Sequence, residues 1–239
     1  MSFNPAALAH AVATDGYAEW PGFVSGPLLE SLTAASEALL SGPHARPYPK
    51  STRVWDLYLL GPEFVDLVSD SHLARMLDAL LGTDHRLSDY SMNSVNPGQR
   101  RDDWHLDYPY NEMPQLVDGA VLGVQCVLTL TAFTPDNGAT ELLPGTHQPP
   151  RRPDRTARRV PRRFTAKPGT LLVMAAATWH RSGYNKSTQA RSALLLSFVE
   201  RWIRPLSAPT DGLAEPVADR LANLLGLHRA PETINGVPI

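Results

Sequence analysis

The chain has 239 residues, 43% hydrophobic and 19% charged, with a formal net charge of −2 and a single cysteine, Cys126. That composition fits one sizeable globular domain and excludes wholesale disorder, an internal disulfide framework, a multi-cysteine metal cluster and a chain-wide nucleic-acid footprint. No apolar run approaches the ~18 residues that span a bilayer, and the N-terminus lacks the basic and apolar regions of a secretory signal, so a cytoplasmic protein with no membrane or nucleic-acid partner is expected.

In chain order, Asn4-Pro5 opens a helix that Asp15-Gly16 ends. A short extended piece, Tyr17 to Phe23, follows. Ser25-Gly26-Pro27 opens a second helix, in which Leu28, Leu29, Leu32, Ala35, Leu39 and Leu40 recur at helical spacing. Residues 42–49, with three prolines, read as loop, and one helical stretch is predicted from about Pro62 to Leu81. After Gly82 the pattern changes to short apolar segments at 86–95, 120–133, 139–143, 170–176 and 192–202, separated by Gly, Pro and Asn turns. No long helix lies between them, so βαβ crossovers are excluded and a mainly antiparallel sheet is expected. Leu213 to Leu227 reads as one amphipathic helix. The whole is read as one domain over residues 1–239: a mainly helical N-terminal region over 1–84, a β core over 85–205 and a helical extension over 206–239.

The most informative string is Trp104-His105-Leu106-Asp107. On a strand, His105 and Asp107 share a face and present an imidazole beside a carboxylate. That is two-thirds of the two-histidine, one-carboxylate triad that holds non-haem Fe(II) and leaves positions open. Alone it is weak, since about one chain in two of this size holds a His-x-Asp triplet by chance. His180, after the apolar strand Leu171–Met174, is the candidate third ligand. His147 is its rival, with a turn-stabilising role as the plainer reading. Arg191, placed by a hairpin beside His180 and facing inward, needs an anion, because an unpaired buried charge is costly. Its planar fork suits a carboxylate. A dicarboxylate bridging Fe(II) and Arg191, namely 2-oxoglutarate, satisfies both groups.

Taken together, these motifs resemble the phytanoyl-CoA dioxygenase family of Fe(II)/2-oxoglutarate oxygenases. The resemblance rests on Asp15-Gly16-Tyr17, Asn96-Pro97-Gly98 ahead of the His105 string, Asp136 to His147, Pro168-Gly169-Thr170, Trp179 to Asn185, and Arg191. It implies a double-stranded β-helix, a cupin-like jelly roll with flanking α-helices packed on one sheet. It carries over His105, Asp107 and His180 as iron ligands and Arg191 as partner of the distal carboxylate of 2-oxoglutarate. Ser182 is implied to assist Arg191, and Gln125, Thr129, Thr140 and Asn93 to line the cosubstrate pocket. Related halogenases have a small residue in place of the carboxylate, so Asp107 implies oxygenation.

The expected partners are therefore O2 and a small molecule, a natural-product intermediate or amino-acid derivative. Arg53 and Trp55, where the family often has a lid, and Tyr108 and Tyr110, after the iron motif, are the expected substrate contacts. The seven arginines of 151–163 read as a solvated loop or a phosphate contact. Two other classes stay open on the sequence: a non-catalytic jelly-roll binding module, and a cupin-type metalloenzyme that uses no oxoacid.

Overall fold

The computed structural model describes residues 4–154 and 159–227, together with the backbone of 233–234 and 237–238. Helix α1 (Pro5–Asp15) starts where Asn4 accepts the Ala7 N–H and stops at Gly16, whose φ of +87° suits glycine. A Cβ on Gly16 would lie 2.6 Å from Thr178 Oγ1, so the turn after α1 closes directly on the sheet. Strand β1 (Tyr17–Trp20) and helix α2 (Gly26–Leu40) follow. The expected loop at 42–49 contains the two-residue strand β2 (Arg46–Pro47), which pairs with β3 (Ser51–Trp55). The single helix expected over 62–81 is two helices, α3 (Pro62–Val68) and α4 (Ser71–Leu81). Asp70 breaks it by accepting the N–H groups of His72 and Leu73 at 2.9 and 2.8 Å, capping α4 as a new helix.

Beyond Gly82 come β4 (Arg86–Val95), β5 (Gly123–Thr129), β6 (Thr140–Leu143), β7 (Arg162–Arg163), β8 (Leu171–Ala175), β9 (Trp179–Ser182) and β10 (Arg191–Val199). A seven-stranded sheet runs β1-β8-β5-β10-β4-β3-β2, and a three-stranded sheet runs β7-β6-β9. Every pairing is antiparallel, and the two sheets form the jelly roll. In the expected C-terminal helix only α5 (Asp219–Leu225) forms, because Pro216 lies in the stretch before it. A short strand pair, β11 (Thr233–Ile234) and β12 (Val237–Pro238), stands in the region where a helical extension was expected.

Period-2 alternation gives the large sheet two apolar faces. Outward residues, such as Val124, Cys126 and Leu128 of β5 and Leu194, Leu196 and Phe198 of β10, join Leu32, Phe64 and Met76 of the helices in one core. Inward residues Val127, Leu172 and Ala193 join Phe133, Leu142 and Phe164 between the sheets. One irregularity matters for the site. The β4–β10 register slips between Ser197 and Phe198, leaving Ser88 as an extra residue. Asp89 shares the inward phase of Ser91 and Asn93 by plain alternation, and the extra residue returns Leu87 to the outer core.

Candidate active site

His105, Asp107 and His180 converge at a cavity of about 230 Å³ between the sheets. Their ligand atoms all lie within 4.8 Å of one another. Asp107 Oδ2 is 3.2 Å from His180 Nε2, and Oδ1 is 3.9 Å from His105 Nε2. The His105 string is not the regular strand expected. It is an extended segment tied to the small sheet by one bridge, with reciprocal His105–His180 backbone bonds of 3.1 and 3.2 Å and an Asp107 N–H bond to Ala176 O of 2.9 Å. These bonds suffice to aim His105 and Asp107 alike, while Leu106 points away into a core with Trp179.

The imidazoles are preset to receive a metal. His180 Nδ1 lies 2.9 Å from Thr178 O, and His105 Nδ1 lies 3.1 Å from Asp103 O. A carbonyl only accepts, so each Nδ1 carries a proton and each Nε2 is the nitrogen left to ligate a metal, His180 Nε2 hydrogen-bonding Asp107 until a metal takes the place of its proton. Burial opposes charge on His180, but Asp107, by its charge and hydrogen bond, raises the imidazole's pKa overall. Desolvation and then His180 lower that of His105. Burial also disfavours the Asp107 anion, yet His180, His105 and Arg53 together hold its pKa below the ordinary carboxylate value. Two neutral imidazoles and one carboxylate at this separation fit Fe(II).

Arg191 lies on β10, in the large sheet, so it faces His180 across the cavity and is not its hairpin neighbour as expected. The loop from 183 to 190 crosses between sheets. The residue is 2% exposed. One terminal nitrogen donates to Gly138 O at 2.7 Å, and the guanidinium lies 4.2 Å over the Phe133 ring. Its Nε has no partner, and burial lowers its pKa to about 10, which still leaves it charged at neutral pH. A charged, incompletely bonded guanidinium in a cavity is suited to a carboxylate.

Ser182, Thr140, Gln125 and Asn93 all line this cavity. Ser182 pairs with Thr140 across β9 and β6, and the buried Asn93 Oδ1 lacks a partner. Thr129 does not line it. Its hydroxyl is taken by the carbonyls of Lys167 and Thr170, at 2.7 and 3.2 Å, where β5 meets the turn before β8. Arg53 and Tyr108 reach the cavity. Trp55 instead lines a neighbouring cavity of about 440 Å³, edge-on to Tyr48. Tyr110 is 2% exposed and structural, its hydroxyl bridging Ala120 O and Leu122 N. His147 binds Ala13 O at 3.0 Å, away from the triad, as a turn anchor.

Three of the described arginines of the basic segment make hydrogen bonds or ion pairs within the chain. Arg162 pairs with Glu19, Arg163 with Glu141, and Arg152 donates to the Asn111 and Met113 carbonyls. Residues 155–158 of that expectation lie outside the described residues. Sequence reasoning missed Asp89, Ser91 and Ser197, which also line the cavity. The signal was present: Asp89 and Ser91 share a stripe, at i and i+2, with Asn93 at i+4, the one residue of that strand expected to line the pocket.

Comparison with known proteins agrees with this geometry. Dioxygenase af480 of Aspergillus fumigatus is 28% identical over 248 residues, which cover 97% of this chain and 75% of that one. Multifunctional dioxygenase ausE of Penicillium brasilianum is 29% identical over 65% of this chain and 56% of its own length, so the chain spans little more than half of that relative. The crystal structure of EctD from S. alaskensis with 2-oxoglutarate and 5-hydroxyectoine has the same fold, with a TM-score of 0.70, 23% identity and coverage of 92% and 85% of the two chains. Among the described residues no helix is long and apolar enough to cross a membrane. The phytanoyl-CoA dioxygenase family profile matches residues 12–193, most of the chain, and the chain belongs to that family of iron- and 2-oxoglutarate-dependent oxygenases.

Proposed function

We propose that the chain hydroxylates a C–H bond of a small molecule, with one O2 and one 2-oxoglutarate consumed and succinate and CO2 released. One oxygen atom enters the alcohol and the other enters succinate, so the reaction balances. The observation that carries this reading is the pairing of two half-sites in one cavity: a His105–Asp107–His180 donor set on one wall and a buried, incompletely bonded Arg191 on the other.

In this reading His105, Asp107 and His180 hold iron on one face, and the carbonyls of Asp103 and Thr178 keep both Nε2 lone pairs aimed at it. Arg191 takes the distal carboxylate of 2-oxoglutarate, with Ser182 and Thr140 beside it. Bound iron supplies the redox chemistry that lets triplet dioxygen react with a closed-shell molecule. The walls contribute geometry, holding one C–H bond near the metal and limiting water. A cavity of about 230 Å³, small beside the ~300–1,000 Å³ of typical ligand pockets, suits a small substrate. The hydroxylated molecule in the EctD crystal structure is consistent with this reaction class.

Anaerobic addition of Fe(II) and 2-oxoglutarate to the metal-free protein tests the reading. The expected result is a weak visible charge-transfer band that Arg191→Ala diminishes. Iron binding without the band would favour the cupin-type reading, and no metal binding would favour the non-catalytic module.

A further inference from the structure

The cavity contains more charge than iron and 2-oxoglutarate use. Asp102 pairs with Lys50 at 3.0 Å, and Arg181 pairs with Glu141 at 2.9 Å. The triad and Arg191 are assigned above. Two charged side chains remain in the lining, Asp89 and Arg53. Among the described residues neither has an ion-pair partner. Asp89 Oδ2 accepts a 2.8 Å hydrogen bond from Ser91 Oγ, and among the described residues no other donor reaches the carboxylate.

These groups lie at a definable place. Along β10, Arg191 stands opposite Val95 and Ser197 stands opposite Asp89. Six residues of β4 separate those rows, about 20 Å at ~3.3 Å per residue. Arg53 on β3 stands opposite Asn93, between the two. Arg191 therefore marks one end of the cavity and Asp89 the other. The fold maintains that far end specifically. Asp89 is the last regularly paired residue before the extra residue Ser88 turns Leu87 outward, and the groups of Ser88 are bonded: Ser88 Oγ accepts Leu206 N–H at 3.0 Å, and Ser88 O accepts Ser207 N–H at 2.7 Å. Leu206, held there, also lines the cavity.

We propose that the substrate is a small zwitterion of amino-acid type, whose basic nitrogen seats against Asp89 and whose anionic group seats against Arg53. This rests on the reading of the cavity as an Fe(II)/2-oxoglutarate site. A carboxylate in a cavity with one hydroxyl donor and, among the described residues, no cation at ion-pair distance is costly, and a ligand ammonium supplies the missing donors and a paired charge. Burial above all raises the Asp89 pKa, offset only in part by the Ser91 hydrogen bond and the Arg53 charge. Arg53 supplies the opposite charge on the adjoining strand, so one end of the substrate is distinguished from the other. A neutral polycyclic substrate would leave both charges unanswered.

The test uses the Zn(II)-substituted protein loaded with 2-oxoglutarate, which binds without turnover. L-Proline, 5-aminopentanoate and L-lysine are titrated by calorimetry, each beside its N-acetyl derivative. At least one free amine should bind ten- to hundredfold more tightly than its acetylated form, roughly the effect of one charged hydrogen bond. Asp89→Asn should erase that preference, and Arg53→Gln should weaken the same probe tenfold or more. Asp89→Asn should still give the Fe(II)–2-oxoglutarate band, and both variants should keep the thermal transition of the unmodified chain, which shows that they fold. Equal binding of acetylated and free probes, silence of every free amine, or an Asp89→Asn variant that keeps the preference would overturn the proposal while leaving the oxygenase reading intact. Absence of the band in the unmodified chain would remove the oxygenase reading, and the proposal with it.

Discussion

The two faces of the large sheet come from the same strands, yet they set polar groups in different surroundings. On the outer face the polar cluster around His85 is packed beneath helices, and its atoms without a hydrogen bond, Arg220 Nε and Asp78 Oδ1, lie away from the cavity of the triad. His85 lies 2.9 Å from Gly82 O through Nδ1, and its Nε2 faces an Arg220 nitrogen at 2.8 Å. On the inner face Arg191 Nε and Asn93 Oδ1 have no partner, and Asp89 has no cation at ion-pair distance among the described residues. Buried polar groups are normally paired, because an unmade hydrogen bond costs roughly 1–3 kcal/mol. Both faces leave buried atoms unpaired, but those that line a cavity can be answered by a ligand, whereas those sealed beneath helices are a cost that the surrounding packing offsets. Substitutions on the inner side should therefore separate function from stability, and those on the outer side should not.

The largest effect is expected at the iron site opposite the inner face. Asp107→Ala should lower succinate formation by at least about a thousandfold, or roughly 4 kcal/mol, with the thermal transition retained. Substantial turnover in this variant would remove the ligand assignment. The outer counterpart is Phe64, fully buried in α3 and 6.3 Å from the Tyr90 ring. Phe64→Ala should cost about 3–5 kcal/mol, lowering Tm by roughly 10 °C, because it opens a cavity under the sheet. The iron–2-oxoglutarate band should persist in the folded fraction. A Phe64→Ala variant that loses the band but keeps Tm would break the comparison.

His85 gives the outer face a pH signature. Burial above all pushes its pKa down to about 4 from the ordinary 6.5. Below pH 6.5 the unfolded chain takes the proton first, so this contribution is complete above 6.5 and shrinks as pH falls toward 4. The gap corresponds to about 3 kcal/mol. Other groups titrate in the same window, so the informative quantity is the stability difference between the unmodified chain and His85→Asn. That difference should narrow between pH 6.5 and 4. A difference independent of pH would show that His85 is not held neutral.

The same contrast explains what the sequence reveals. The central strands of the large sheet, β4, β5, β8 and β10, are legible because they are mostly apolar and bounded by turn residues, and the expected bounds of β4 match the observed ones, Arg86–Val95. Chemistry-bearing residue types at unusual spacing make His105, Asp107, His180 and Arg191 legible one by one. What cannot be read is tertiary. The position of Arg191 across the cavity depends on which sheet β10 joins, and the diversion of Thr129 depends on carbonyls 38 and 41 residues away. Tyr110 resembles a rim residue until its hydroxyl is seen to hold Ala120 and Leu122. Asp89 is hidden because a polar stripe within an apolar strand acquires meaning only when the second sheet closes over it.

The smallest predicted effect is also the sharpest test of the contrast. Arg191→Met keeps an apolar stem of similar length and removes a charge that is 2% exposed. Three opposing contributions meet there. The variant gives up the bond to Gly138 O and the stacking on Phe133, and it removes a desolvated guanidinium whose Nε is unpartnered. Replacing a buried charge with a packed apolar side chain is often neutral or stabilising, whereas losing a charged hydrogen bond to a ligand costs about 2 kcal/mol. Affinity for 2-oxoglutarate, read from the charge-transfer band, should therefore fall roughly tenfold or more while Tm holds or rises. If Tm instead falls by as much as in Phe64→Ala, the cavity arginine is a structural group like those of the outer face, and the division between the two faces of the sheet fails at its most exposed point.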